Sequence, residues 1–285
     1  MIHGHRAVLQ RVATLGLPVP GEDLPAEVRE PAGPADPFAD PGPAQKAYLE
    51  QAVASASAGD VDALLTAPVD KARLAAAGFT HPGHTDFLAA SAGADVAMVF
   101  LSPTLIVVPA TVHLPYAEVP RALAERLAPT VEILSASLVS DFGKARPRVA
   151  VAGLNPHAGE QGLLGAEEQR IMAPALDAAR SALADRGLDV EVVGPLSGDT
   201  VFAQAAAGGF DAVVAAYHDQ ALIPVKLLAF ADAVNFTAGL PYVRTSPAHG
   251  TAPDLAWTGN ADPSSTRAAL RWALDLAGRR RNTQK

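Results

Sequence analysis

Ala212-Val213-Val214-Ala215-Ala216-Tyr217-His218-Asp219 carries the pattern that decides the fold: a short apolar run, then an imidazole and a carboxylate. The run is too short for a buried helix and shows no alternation, so it reads as a strand covered on both faces. The same order recurs on either side of it. Residues 149–152 lead to Asn155 and His157, residues 105–108 to His113, and residues 61–66 to Pro68 and Lys71. Residues 97–101, 190–193 and 233–237 are further apolar runs of strand length. Helical stretches fall between them at 44–58, 85–92, 116–142, 166–186 and 201–207, with Thr85 as the expected N-cap of its helix and Pro129 expected to interrupt the long one. Residues 264–281 close the chain as an amphipathic helix, with Ala269, Leu270, Ala273, Leu274 and Ala277 at helical spacing. Short strands alternating with helices predict an α/β fold with a largely parallel sheet covered on both faces.

The composition supports this and excludes several classes. The 285 residues, 49% hydrophobic, supply one large or two modest domains. Lys+Arg 22 against Asp+Glu 30 gives a net charge of −8, which argues against generic nucleic-acid binding by phosphate neutralisation. Cys is absent, so disulfide scaffolds, thiolate metal sites and cysteine nucleophiles are excluded. No apolar run approaches the roughly 20 residues of a membrane span, and residues 1–17 carry charges where a signal peptide needs an apolar stretch. The expectation is a soluble, cytoplasmic protein with no membrane partner. Residues 18–43, rich in Pro, Gly and acids and without a period, read as a long loop or lid.

In open α/β sheets ligands bind outside the carboxyl ends of strands, so the polar residues after each run are expected to converge on one crevice. Three of them are His113, His157 and His218. Neutral imidazoles suit a divalent ion, and three ligands leave positions open for a substrate oxygen. Taken singly, each histidine reads better as a structural or surface residue, and it is their shared strand-end position that brings the metal reading level. Pro82-Gly83-His84-Thr85-Asp86 opens a helix, where free N–H groups and the macrodipole favour an anion. Lys226, Asn235 and Arg244 follow at intervals of nine, pairing a point charge with a bidentate fork suited to phosphate. Asp199 and Asp219 could bind substrate, orient a histidine or shuttle a proton, and Asp199 reads equally as the N-cap of the helix after it. Neither GxGxxG nor GxxxxGK[ST] is present.

At these residues the sequence resembles the 4-hydroxythreonine-4-phosphate dehydrogenase family of pyridoxal phosphate biosynthesis, with its phospho-threonate and phospho-erythronate relatives. The strings that carry the likeness are Thr66-Ala67-Pro68-Val69-Asp70-Lys71, Gly83-His84-Thr85-Asp86-Phe87, Leu154-Asn155-Pro156-His157-Ala158-Gly159-Glu160 and Tyr217-His218-Asp219-Gln220. Asn235-Phe236-Thr237-Ala238-Gly239-Leu240-Pro241 and Arg244-Thr245-Ser246 complete them. His249-Gly250-Thr251-Ala252-Pro253-Asp254, with Asn260, is similar to the nucleotide loop of the wider isocitrate and isopropylmalate dehydrogenase group, which binds NAD(P) without a Rossmann fingerprint.

The resemblance implies two α/β/α domains flanking a cleft, with 1–79 plus 245–285 on the nucleotide side and 80–244 as the central metal, substrate and dimerisation domain. It implies His113, His157 and His218 as ligands of one divalent metal (Zn, Co, Mn or Mg), drawn from both subunits of a homodimer. His84, Thr85, Asp199, Asp219, Lys226, Asn235 and Arg244 match substrate positions. His249, Gly250, Thr251, Ala252 and Asn260 match cofactor positions for NAD or NADP. Asp219 is also the candidate catalytic proton acceptor. The family's usual opening strand and Gly-rich turn have no counterpart here, so the chain is expected to lack about one βα unit, and Ala248 stands where an acid is common. The expected activity is NAD(P)-dependent, metal-assisted oxidation, with decarboxylation, of a phosphorylated hydroxy acid such as 4-phosphooxy-L-threonine. A metal-dependent hydrolase or phosphatase, and a catalytically silent homologue, are the alternatives.

Overall fold

The computed structural model describes residues 1–16, 26–31 and 36–283, so much of the expected lid at 18–43 lies outside the described residues. The described part of that segment includes a short strand, β2 (Val28–Arg29), which pairs in parallel with β1 (Ile2–His3) as a small separate sheet. Eight further strands form the main sheet: β3 (Ala63–Leu65), β4 (Ala97–Leu101), β5 (Ile106–Thr111), β6 (Arg148–Ala152), β7 (Glu191–Leu196), β8 (Ala212–Tyr217), β9 (Val234–Ala238) and β10 (Val243–Pro247). The helices are α1 (Arg6–Gln10), α2 (Pro41–Ser57), α3 (Lys71–Ala76), α4 (His84–Ala92), α5 (Val119–Ser140), α6 (Ala173–Asp185), α7 (Val201–Ala206), α8 (His218–Ala229) and α9 (Ser264–Thr283).

The strand order is β3-β10-β9-β4-β5-β8-β6-β7. The sheet is mixed, which corrects the expectation of a largely parallel one. β5, β8, β6 and β7 run parallel, and β10 runs parallel to β3, but the pairs β10/β9, β9/β4 and β4/β5 are antiparallel. The three reversals turn β3 and β10 against the β5–β8–β6–β7 block. Carboxyl ends of strands therefore emerge at two opposite edges, and the groups that follow them leave the sheet at two places.

β8 shows why its residues form a doubly covered strand. Val213 and Ala215 pack with Val201, Ala205, Ala221 and Val225 from α7 and α8. Ala212, Val214 and Ala216 face the opposite way, toward Leu123, Leu127, Val131, Leu134 and Leu138 of α5 and Leu176 and Leu183 of α6. A third cluster joins α2, α3 and α4 to Leu64, Leu240 and Tyr242. β3 comes from the terminal segments, β4–β9 from the central one, and β10 spans the 244/245 boundary, so both share one hydrogen-bonded sheet.

Three local expectations are corrected. α5 runs unbroken through Pro129. Pro129 is exposed, so the carbonyl it leaves unpaired meets water, while the buried leucine ladder on the opposite face continues past it. Thr85 is not the N-cap of α4: Gly83 occupies that place, with no side-chain cap. α9 packs through Ala268, Ala269, Ala273, Leu276 and Ala277, whereas Leu270 and Leu274 are exposed. The small alanines let the helix backbone come close enough for Thr245 Oγ1 to donate to the Ala269 carbonyl at 3.0 Å. No helix among the described residues is long and apolar enough to cross a membrane.

Candidate active site

β5, β8 and β6 are neighbours running the same way, so the residues just beyond them share one edge. Thr111 is level with Tyr217, and the residues that follow bring the His113 and His218 rings to 5.5 Å between centroids. His218 Nδ1 lies 2.7 Å from Asp219 Oδ1, which fixes the ring and leaves Nε2 as its free nitrogen. Gln220 ties this end of β8 to β6, accepting from the Ala216 N–H and donating to the Gly153 carbonyl at 2.8 Å. His157 follows β6, with its Nδ1 3.9 Å from Asp199 Oδ2; Asp199, just beyond β7, also accepts from Ser197 Oγ at 2.6 Å. Asp199 does not cap α7, whose N-cap is Thr200.

The backbone around these histidines is unusual. His113 has φ +51°, and His157, Ala158, Gly159, Glu160 and Gln161 all lie in the left-handed region. Each non-glycine residue there costs roughly 1–2 kcal/mol, a cost that persists only where surrounding structure imposes it.

Two paired imidazoles, one of them oriented by a carboxylate, are donors suited to a divalent ion. No group of three or more His, Asp or Glu among the described residues of the single chain is placed to hold one. The fit is therefore to two-thirds of the expected ligand set, with His157 standing apart beside Asp199.

A second cluster surrounds Arg244. It lies on β10, between β3 and β9, and is 2% exposed. Its guanidinium donates to Thr66 Oγ1 at 2.6 and 3.2 Å and to Thr237 Oγ1 at 3.0 Å, and meets His84 Nδ1 at 3.3 Å. No carboxylate among the described residues pairs with it. Burial pulls its pKa down to about 10, which leaves it charged at neutral pH. The His84 pKa is lowered to about 4, first by desolvation and then by the Arg244 and Lys71 charges. A neutral His84 accepts from Arg244 at Nδ1, so its Nε2 carries the proton and can donate to a ligand. The first N–H groups of α4, from His84 and Thr85, have no intrahelical partner and open beside this cation. Buried cation, neutral donor, paired hydroxyls and helix N-terminus together make an anion anchor.

The other expected residues stand further out. Asn235 is on β9, level with Ser246 and Phe100, and its Oδ1 is buried without a hydrogen-bond partner. Lys226 is exposed on α8, two turns beyond His218. His249, Gly250, Thr251, Ala252 and Asn260 belong to an exposed loop between β10 and α9, at the edge opposite the histidines. Ala252 and Trp257 have positive φ there, and Arg11 lies 4.4 Å above the Trp257 ring. Thr237 as an Arg244 partner and the buried Glu168 behind His157 were not singled out from the sequence. The Thr237 signal was its place two residues after Asn235.

Apolar exposure concentrates after each histidine. Leu114 and Tyr116 follow His113, Leu163 and Leu164 follow the His157 turn, and Ile223, Leu227 and Phe230 line the outer face of α8. Leu163 and Leu227 are each 82% exposed.

The profile of the family described as pyridoxal phosphate biosynthetic protein PdxA matches residues 11–273. A 4-hydroxythreonine-4-phosphate dehydrogenase of Bradyrhizobium diazoefficiens is 47% identical over 282 residues, 97% of this chain and 78% of that protein. One from Xanthobacter autotrophicus is 46% identical over 294 residues, 95% of this chain and 82% of that protein. The crystal structure of 4-hydroxythreonine-4-phosphate dehydrogenase from Klebsiella pneumoniae superimposes with a TM-score of 0.84 at 38% identity, covering 97% of this chain and 88% of that one.

Proposed function

Since the chain belongs to the PdxA family of pyridoxal phosphate biosynthetic proteins, we propose that it works as an NAD(P)-dependent, divalent-metal-assisted dehydrogenase. Its substrate is a four-carbon hydroxy acid carrying a terminal phosphate, such as 4-phosphooxy-L-threonine, and the keto acid formed then loses CO₂. The observation that carries this reading is Arg244, a buried guanidinium paired to hydroxyls and a neutral histidine instead of a carboxylate. Such a cation is expensive to bury without an anion, and a phosphate beside it supplies the missing charge.

Thr66, Thr237 and His84 engage four of the five Arg244 N–H groups, which holds the buried cation in place and leaves one Nη1 N–H for the ligand. His84 donates its Nε2 proton to the phosphate, and Thr85 and the α4 amides add donors. Lys226 supplies a mobile charge, and the unpartnered Asn235 Oδ1 accepts from a substrate hydroxyl or ammonium. Asp219 keeps His218 in one tautomer and is the exposed carboxylate best placed to take the hydroxyl proton; Asp199, 3.9 Å from His157 Nδ1, adds a negative charge beside that ring without a hydrogen bond to it. His113, His157 and His218 would hold the metal, which supplies Lewis-acid polarisation, and residues 249–252 with Asn260 would hold the dinucleotide, which supplies the hydride acceptor.

The working form is a cytoplasmic homodimer, in which the third imidazole of each site arrives from the partner subunit. The apolar residues flanking all three histidines support that assembly. Residues 1–79 with 245–285 serve the nucleotide, and 80–244 the metal and substrate.

The test is NADH or NADPH formation, followed by absorbance, with metal and a panel of 4-phosphorylated C4 hydroxy acids. Arg244→Lys keeps the charge but loses the planar donors that meet Thr66, Thr237 and His84, and should raise KM about 10–100-fold with kcat changed far less. Absence of reduced cofactor with every member, or an unchanged KM in Arg244→Lys, sinks the reading.

A further inference from the structure

Glu168 is a buried acid that the proposed chemistry leaves unused. It is 5% exposed, and no Lys, Arg or His among the described residues pairs with it. Its hydrogen bonds converge on one residue. Oε1 accepts the Asn155 backbone N–H at 2.7 Å and Oε2 accepts from Asn155 Nδ2 at 3.0 Å, while Glu167 Oε2 accepts from the same Nδ2 at 2.7 Å. Asn155 is the residue from which the left-handed turn carrying His157 departs.

The turn is built directly on the carboxylate. A Cβ on Gly159 would lie 2.6 Å from Glu168 Oε2, and one on Gly153 would lie 3.3 Å from Oε1. Glycine at both places lets the backbone wrap the acid without a side chain between them. Glu168 also begins a π turn, Glu168–Met172, ahead of α6. The extra residue of a π turn rotates a side chain out of the regular helical register, and the free N–H groups at that end favour a negative charge.

We propose that Glu168 is a positioning residue for His157. Its buried carboxylate holds Asn155 and fixes the left-handed turn, so that His157 is presented beyond the end of β6. The proposal rests on the reading of His157 as a metal ligand. Removing the carboxylate leaves the Asn155 backbone N–H without its acceptor and its side-chain amide held by Glu167 alone, frees the turn to relax toward ordinary dihedrals, and carries the imidazole away from the ion.

The experiment is Co²⁺ titration of the purified full-length protein, read by the visible absorption bands of the bound ion, for wild type, Glu168→Ala, Glu168→Gln and His157→Ala. Glu168→Ala should weaken Co²⁺ binding about 10–100-fold and alter the bands, with the melting of the metal-free protein kept within a few degrees. Glu168→Gln has the same shape and keeps one acceptor, but turns an NH₂ toward Asn155 Nδ2, so an intermediate loss is expected. Wild-type affinity and bands in both Glu168 variants, with binding lost in His157→Ala, would overturn the positioning role and leave the metal reading standing. Wild-type binding in His157→Ala itself would overturn the metal reading and the proposal with it. If Glu168→Ala does not fold, Glu168→Gln decides by the same criterion.

Discussion

Acidifying the solution should destabilise the folded chain through His84 in a window set by its depressed pKa. The folded ring titrates at about 4, against the ordinary value of 6.5 expected once the chain unfolds. Between those values the unfolded state binds the proton and the folded state does not. The contribution is therefore fully present above 6.5 and is lost as pH falls toward 4. At about pH 5 the loss relative to pH 8 works out at about 2 kcal/mol, reaching about 3 kcal/mol near pH 4. Desolvation is the larger cause, so Arg244→Met should raise the His84 pKa only part of the way back. The direct assay is the His84 ring resonance followed by NMR across this range, alongside urea midpoints at about pH 8 and pH 5 for wild type and His84→Gln. His84→Gln should lose about 2 kcal/mol of the pH dependence. A ring that titrates near 6.5, or a His84→Gln protein with the full wild-type dependence, refutes the reasoning.

Pro129→Ala restores a hydrogen bond and removes a ring clash on the exposed side of α5, so it should stabilise the chain by about 1–3 kcal/mol. A urea midpoint moved upward with an unchanged slope would show it, and a downward move would contradict it. Leu227→Glu with Phe230→Glu places charges on the outer face of α8 and should shift the assembly to monomer in sedimentation velocity. Circular dichroism should stay unchanged, and a persistent dimer would mean that α8 lies outside the interface.

Strand existence was legible wherever a run was apolar and bounded, as at Ala212–Tyr217 and Ala97–Leu101, because burial on both faces demands that composition. Strand direction was not. Nothing in residues 97–111 distinguishes the antiparallel β4/β5 hairpin from a parallel crossover except its brevity, and the two antiparallel pairs of β9 depend on long-range pairing. β10 escaped notice because Val243-Arg244-Thr245-Ser246-Pro247 is polar in sequence yet wholly buried, its arginine being satisfied by Thr66, Thr237 and His84 and its Thr245 hydroxyl by α9. The histidines were visible as strand-end residues, and two of them do meet. The Arg244–His84 contact joins residues 160 positions apart, so no local spacing could reveal it. Glu168 looked like one acid among several in a helical stretch, because register, not composition, turns it inward.

The reversal of direction at β4 and β9 also separates the molecule into parts that can change independently. The loop after β10 and the histidines after β5, β8 and β6 leave the sheet at its two opposite margins. A strand of five or six residues spans roughly 17–20 Å, beyond the 7–10 Å within which substitutions usually couple. Exchanges in residues 248–263 should then combine with exchanges at His113 or His218 as simple products of their separate effects. Lineages sharing this sheet are free to alter one margin while the other is conserved by its own constraints.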